Sequence, residues 1–271
     1  MRALKTIVAG TLLVCGAAGA SPDKPAAPVK QLDPVHVNAM RNPEVKKYKA
    51  ILAGLDTFDK FHGLAPAVGK LQFRLSPRGK DEMPEPLAVR LAGDDGFRLA
   101  LALDAAGRFV VPRSAAALDA KSELELNRKR RVYRIEPDIR TPGLAPNQRR
   151  LGDLRLECKV MMAIGKEEMP LWGVVLVNGI LLRTDWCGFF GDEKSSAYGG
   201  VSKEANFGYR AERPLSQAVL VDGNRSALLE VSGSSFNVPI GNSTWSDDAI
   251  VELSFAEPPT GTAGETPRTA P

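Results

Sequence analysis

The stretch "FVVPRSAAALDAKSELEL", Phe109 to Leu126, is written a second time as "FNVPIGNSTWSDDAIVEL", Phe236 to Leu253, in the same frame and at the same length. Phe109 matches Phe236, Val111 matches Val238, Pro112 matches Pro239, and Glu125-Leu126 matches Glu252-Leu253 without a gap. Each copy reads as a strand ending in Phe-x-Val-Pro, a polar crossing, and a final strand; proline is admitted where ladder pairing stops. In the final strands Leu124 and Leu126 share a face, as do Val251, Leu253 and Phe255, with Glu125 and Glu252 opposite. Upstream, "PLAVRLAGDD" (Pro86 to Asp95) resembles "PLSQAVLVDGN" (Pro214 to Asn224) in its Pro-Leu start and a Val-x-(Leu or Val)-x-Gly-(Asp or Asn) turn. The shared frame predicts a duplicated unit; the competing reading is chance agreement between two β-rich segments.

The residues around the first copy carry the same period of two. "LQFRL", "PLAVRL", "FRLALAL" and "RFVVP" are short alternating runs separated by turn signals at "AGDDG" and "DAAG". Leu99, Leu101 and Leu103 point one way while Arg98, Ala100 and Ala102 point the other. The expected fold is mainly β, with two related antiparallel β-sandwich modules over 66–135 and 201–256. A helix over 42–62 precedes them. Asn42-Pro43-Glu44 suits a helix start, and Val45, Tyr48, Leu52, Leu55 and Phe58 recur at helical spacing. Between the modules, 136–200 reads as a further β segment. In "LRLECKVMMAI", Leu154, Leu156, Cys158, Val160, Met162 and Ile164 alternate with Arg155, Glu157 and Lys159. In "PLWGVVLVNGILLRTDWC", Asn178-Gly179 is a two-residue hairpin signal, against a helix opened by Pro170; the run is too short to cross a bilayer.

The ends address the protein. Residues 1–20 have the parts of a secretory signal: Arg2 and Lys5, an apolar core from Ile7 to Val14, and Ala18-Gly19-Ala20 before a mature start at Ser21. A periplasmic or secreted protein is expected, with no transmembrane span in the mature chain. A lipoprotein anchored through Cys15 is the alternative, although Val14 is larger than the residue such a site places before its cysteine. Residues 21–41 form a Pro-rich linker and 257–271 a Pro, Thr and Gly tail expected to be disordered. Of the three cysteines, Cys158 and Cys187 remain after processing, and an even count in an oxidising compartment predicts a disulfide between them.

"LALDAAGRFVVP" carries a family likeness. Its Asp-x-x-Gly-x-Phe-x-Val-Pro arrangement, Asp104 to Pro112, resembles the hairpin of carboxypeptidase-regulatory-like and transthyretin-like β-sandwich modules. The second copy lacks the Asp-x-x-Gly. The likeness implies a sandwich fold and no particular activity, since such modules host many roles.

Signatures of catalysis are missing. There is no G-x-S-x-G, no H-E-x-x-H and no phosphate-binding glycine loop, and "SGSSF" reads as a turn. The two histidines, His36 and His62, stand 26 positions apart. No catalytic residue, metal ligand or cofactor is therefore assigned; a glycosidase, needing only two carboxylates, is the class composition never excludes. Removing 1–20 takes Arg2 and Lys5 and turns 36 basic residues into 34 against 32 acidic, a formal charge of +2. So small a net charge advertises no nucleic-acid partner. The one basic run is "NRKRRVYR", with Arg128, Lys129, Arg130, Arg131 and Arg134, joined by Arg149 and Arg150 in "NQRR". It reads as a patch for an anionic ligand or as a charged edge strand that blocks sheet-to-sheet association. Trp172, Trp186 and Trp245 could stack on sugars, but Trp245 takes the place of Leu118 in the repeat and so belongs to a core. The expected role is a structural or interaction protein of the periplasm or cell envelope, its partner an envelope protein or glycan. The alternative is a glycan-binding or glycan-cleaving accessory protein.

Overall fold

The computed structural model describes residues 42–79, 86–191 and 206–257. The signal, Cys15, His36, the linker to 41 and the tail from 258 lie outside the described residues. The chain runs β1 (Pro43–Lys47), α1 (Tyr48–Lys60), β2 (Gln72–Pro77), β3 (Val89–Ala92), β4 (Arg98–Leu101), β5 (Arg108–Phe109), α2 (Ala115–Asp119), β6 (Glu123–Lys129) and β7 (Tyr133–Asp138). It continues through β8 (Gln148–Arg150), α3 (Leu151–Glu168), α4 (Leu171–Leu181), β9 (Phe207–Arg210), β10 (Leu215–Asp222), β11 (Arg225–Leu229), β12 (Val231–Ser232), β13 (Ser235–Val238) and β14 (Ile250–Phe255). The protein is mainly β, its described strands forming four antiparallel sheets.

Two of these sheets have one connectivity. The order β1-β6-β3-β4 is answered by β8-β14-β10-β11. Their registers also coincide: Val45 lies opposite Glu125 and Gln148 opposite Glu252, while Leu91 lies opposite Leu124 and Leu220 opposite Val251. In both copies the first strand passes directly into a helix, and the helix opens on the same bond: Tyr48 N donates to Ser122 O (2.9 Å) and Leu151 N to Ala249 O (2.8 Å). The smaller sheets correspond as well. Phe109 lies opposite Phe73, and Phe236 opposite Tyr209. Ring centroids are 5.9 Å apart at 29° in one pair and 5.8 Å at 30° in the other. The common unit thus begins one strand and one helix earlier than the quoted stretch, at β1 and at β8. The upstream match shifts by one residue, Val89 standing where Ala218 stands, because β10 carries a register irregularity between Leu215 and Gln217.

Three expectations change. The helix begins at Tyr48 and not at Asn42, because Glu44 to Lys47 pair with the edge of β6 and Asn42 takes a left-handed φ of 61°. The middle segment is helical over 151–168, not a strand. Its alternation is two helical stripes interleaved: Leu156, Val160 and Ile164 face the core around α1 and β2, while Leu151, Leu154 and Cys158 face the core of the second copy. A helix packed between two cores needs apolar side chains on two sides, and stripes of spacing three and four then mimic a period of two. Asn178-Gly179 likewise lies inside α4, where the Asn178 Oδ1 accepts from Trp186 Nε1 at 2.8 Å. α1 and α3 approach closely at Gly54, where a Cβ would come within 2.9 Å of Ile164.

Cys158 and Cys187 form the expected disulfide. No helix among the described residues is long and apolar enough to cross a membrane.

Candidate functional sites: an arginine-lined cleft and an exposed apolar helix

The duplication places equivalent residues around one cavity. Arg74 follows the core aromatic Phe73 on β2, and Arg210 follows Tyr209 on β9; strand alternation turns each arginine away from its buried neighbour. Both line a cavity of about 400 Å³ with Arg134, Asp138, Arg149 and Glu157. A hollow of about 330 Å³ beside it shares Arg74 and Arg210.

Most of the charge here is internally matched. Asp138 accepts from Arg108 Nε at 2.6 Å and from Arg140 Nε at 3.0 Å. Burial alone would raise the Asp138 carboxyl; the charges of Arg140, Arg149 and Arg74, with the bond from Arg108, outweigh it and hold it down at about 2. Deeper in, Glu157 Oε1 accepts from Arg149 Nη2 at 2.6 Å and from Ile139 N at 2.7 Å. Burial pushes Glu157 up to about 7 against the pull of Arg149, with Asp138 adding to the rise. Arg74 Nη1 reaches Glu212 at 3.1 Å. Two cations remain weakly matched: Arg134 has Glu136 at 3.9 Å, and Arg210 has the Ser234 hydroxyl at 3.2 Å and, among the described residues, no carboxylate within salt-bridge reach. The Nε atoms of Arg74 and Arg149 are buried without a hydrogen-bond partner among the described residues.

This geometry divides the basic run of the sequence. Arg128 is buried, with Nη1 donating to Asn127 O, so it is withdrawn from the surface. Lys129, Arg130 and Arg131 are exposed at the β6–β7 hairpin. Only Arg134 reaches the cleft, and Arg149 joins it from β8; Arg150 instead binds Asp248 at 2.7 Å. Arg74 and Arg210 had a legible signal, an aromatic-Arg pair at the same strand of each copy. Reading basic runs alone passes over it.

The second candidate is α4. In the first copy eleven residues separate α1 from β2, Phe61 to Leu71; in the second, α3 and β9 are 38 residues apart, and α4 lies in that addition. Gly173, Val174, Val177, Asn178 and Leu181 form the covered or half-covered side of α4. Leu171, Trp172, Val175, Leu176 and Ile180 form an outward stripe at spacings of one and four, with Leu171 78%, Trp172 72% and Ile180 64% exposed. Such a contiguous apolar stripe exceeds the scattered apolar side chains normal on a monomer. Its base is held firmly. Beside the Cys158–Cys187 bond, Lys166 Nζ donates to Thr184 O at 2.6 Å, and Lys159 Nζ to Asp185 at 2.8 Å. Gly241 N donates to Phe190 O, and a Cβ at Gly241 would meet the Gly188 and Phe190 carbonyls at 2.6 Å.

Of the remaining tryptophans, Trp245 is in the second core and Trp186 is buried against α4. Trp186 lies under Lys166 and Trp245 under Arg225, so of the three only Trp172 presents its ring openly. Asp247 and Asp248 are engaged by Arg155 and Arg150. His62 contacts Val68 O at 2.7 Å. A scan of family models, curated proteins and solved structures finds no match to this chain, and nothing found there bears on the likeness at Asp104–Pro112.

Proposed function

We propose that the protein is an exported, non-catalytic interaction module of the periplasm or cell envelope, docking through the outward stripe of α4 into an apolar groove of a partner protein. The observation that carries this reading is α4 itself: an addition to a repeated unit that closes without it, disulfide-held at its base and apolar where it faces outward. Such a stripe is the pattern of helix-in-groove recognition. The charges at its rim favour a protein over an anionic bilayer. Lys46 and Lys49 are engaged by Glu168 and Glu167, Lys159 by Asp185, and Lys166 and Arg183 donate to the Thr184 and Gly188 carbonyls, so these cations are held against the fold and are not spread as a basic patch for phospholipid headgroups. An apolar centre holding an aromatic, within a paired charged rim, is the anatomy of a protein interface.

The test is site-specific photocrosslinking from position 176 in the native host, followed by binding of the purified pair. A discrete crosslinked protein whose affinity falls at least tenfold with Ile180→Glu is expected. Flotation with vesicles, self-association through α4, or equal affinity of Ile180→Glu would each overturn the reading.

A further inference from the structure

We infer that the cleft between the two copies binds a small organic oxyanion, a carboxylate- or phosphate-bearing molecule of sugar size, gripped between Arg134 and Arg210. The inference is independent of α4 and of any partner docked there.

The charges of the cleft supply the first argument. Three carboxylates, Asp138, Glu157 and Glu212, are taken up by Arg74, Arg108, Arg140 and Arg149. Arg134 and Arg210 add two further guanidinium groups with one distant carboxylate, Glu136 at 3.9 Å, between them. A purely structural network that joins two halves of a fold gains nothing from surplus like charge, because unpaired cations crowded in a cleft repel. An oxyanion removes the surplus, and a guanidinium fork matches the geometry of both carboxylate and phosphate.

The unmet donors supply the second. Arg74 Nε and Arg149 Nε are buried without a partner among the described residues, and both side chains line the cavity. A buried N–H left unsatisfied is costly enough to call for an explanation. Ser235 and Asn237 add neutral polar groups on the same wall, while Phe207 and Met161 offer an apolar side. A volume of about 400 Å³ lies within the range of small-molecule pockets and suits a body no larger than a sugar or two.

The origin of the site supplies the third. Arg74 and Arg210 occupy the same position of the repeated unit, each one residue past the aromatic that pairs with the Phe of the Phe-x-Val-Pro strand. Duplication therefore delivers one guanidinium from each copy to a shared cavity; Arg74 is matched there by Glu212, and its counterpart Arg210 is left for the anion, together with Arg134.

Isothermal titration of the full chain tests this with three probes: glucose 6-phosphate, glucuronate, and glucose as the neutral control. Saturable binding of at least one anion, and none of glucose, is expected; the two anions tell phosphate from carboxylate. Arg134→Gln and Arg210→Gln should each weaken binding at least tenfold. Arg98→Gln, on exposed β4, should leave it unchanged. Arg210→Lys keeps the charge without the fork and should fall between, which separates anion recognition from a folding defect when melting points are compared. The inference fails if neither anion binds saturably up to about 20 mM, the range of very weak affinity. It also fails if the Arg134→Gln/Arg210→Gln double variant, folded by circular dichroism, binds as the parent does, or if Arg98→Gln weakens binding equally.

Discussion

Removing the Cys158–Cys187 bond should soften the second copy by an amount that the chain itself sets. The bond closes a loop with a sequence separation of 29. Chain-entropy arguments value that closure at about 3.5 kcal/mol. Alanine is the better replacement, because Cys158 is fully buried and Cys187 nearly so, and serine would add an unmet hydroxyl to an apolar core. For a domain of this size 1 kcal/mol moves the melting point by roughly 2–4 °C, so the Cys158→Ala/Cys187→Ala variant should melt roughly 7–14 °C below its parent. What then holds the base of α4 is the bonds of Lys166 to Thr184 O, Trp186 Nε1 to Asn178 Oδ1 and Gly241 N to Phe190 O, with the ion pair of Lys159 and Asp185, of a kind that contributes only about 0–1 kcal/mol at a surface. Thermal melts followed by circular dichroism read the global effect, and hydrogen exchange over 169–190 reads the local one. A melting point within about 2 °C of the parent, equivalent to at most roughly 1 kcal/mol, together with unchanged exchange in that segment, would show that the bond does not hold α4.

Three further outcomes follow from the same contacts. Phe109→Ala and Phe236→Ala should each cost about 3–5 kcal/mol, by similar amounts because both rings are buried and stack on a cross-strand aromatic; urea melts decide, and an unchanged midpoint for one breaks their equivalence. Glu157 has its folded value raised to about 7 from 4.5, so its contribution is fully present below 4.5 and is lost as pH rises through 7, by at most about 3 kcal/mol. Urea midpoints should therefore fall from pH 5 to pH 8, and Glu157→Gln should flatten that slope; the same slope in the variant would assign it elsewhere. N-terminal sequencing of the exported chain should read from Ser21, and a lipid-modified start at Cys15 would make the protein membrane-anchored.

Sequence periodicity served where one face of an element is buried and the other wet. β3, β4, β6 and the turn at Asp104, whose carboxylate accepts from Ala106 and Arg108 N–H groups, all lie where alternation and turn chemistry place them. It misled at α3 because that helix has two buried faces, a condition of tertiary packing that no local window contains. It missed β1 for a different reason. Asn42-Pro43-Glu44 has the chemistry of a helix start, but strand pairing to β6 satisfies the backbone of Glu44 to Lys47 and delays the helix by one turn. The disulfide needed only the cysteine count and the inward placement of Cys158, and both hold in a helix as well as in a strand. Of the cleft, only the aromatic-Arg pairs Phe73-Arg74 and Tyr209-Arg210 leave a trace in the sequence; that they meet Arg134 and Arg149 depends on four strands packing together.

The duplication links the two candidate sites by contrast. Where the copies agree, as at Phe73 and Tyr209 against Phe109 and Phe236, the residues serve the core, and a shared solution is what burial requires. The loop after Phe-x-Val-Pro shows how far the copies can diverge while the fold is kept. Tyr48 spans it in the first copy, its hydroxyl donating to Pro112 O and accepting from Ser114 N at 2.8 Å each. In the second, Arg155 donates to Ile240 O at 2.9 Å and to Asn242 O at 2.7 Å. Different side chains close the same loop, so such differences carry no functional weight. α4 is of another kind. No contact of the first copy corresponds to it, its outward stripe contributes nothing to either core, and exposing Trp172 and Ile180 gains no stability. A disulfide spent on fixing such an element makes sense when its outward face meets something else.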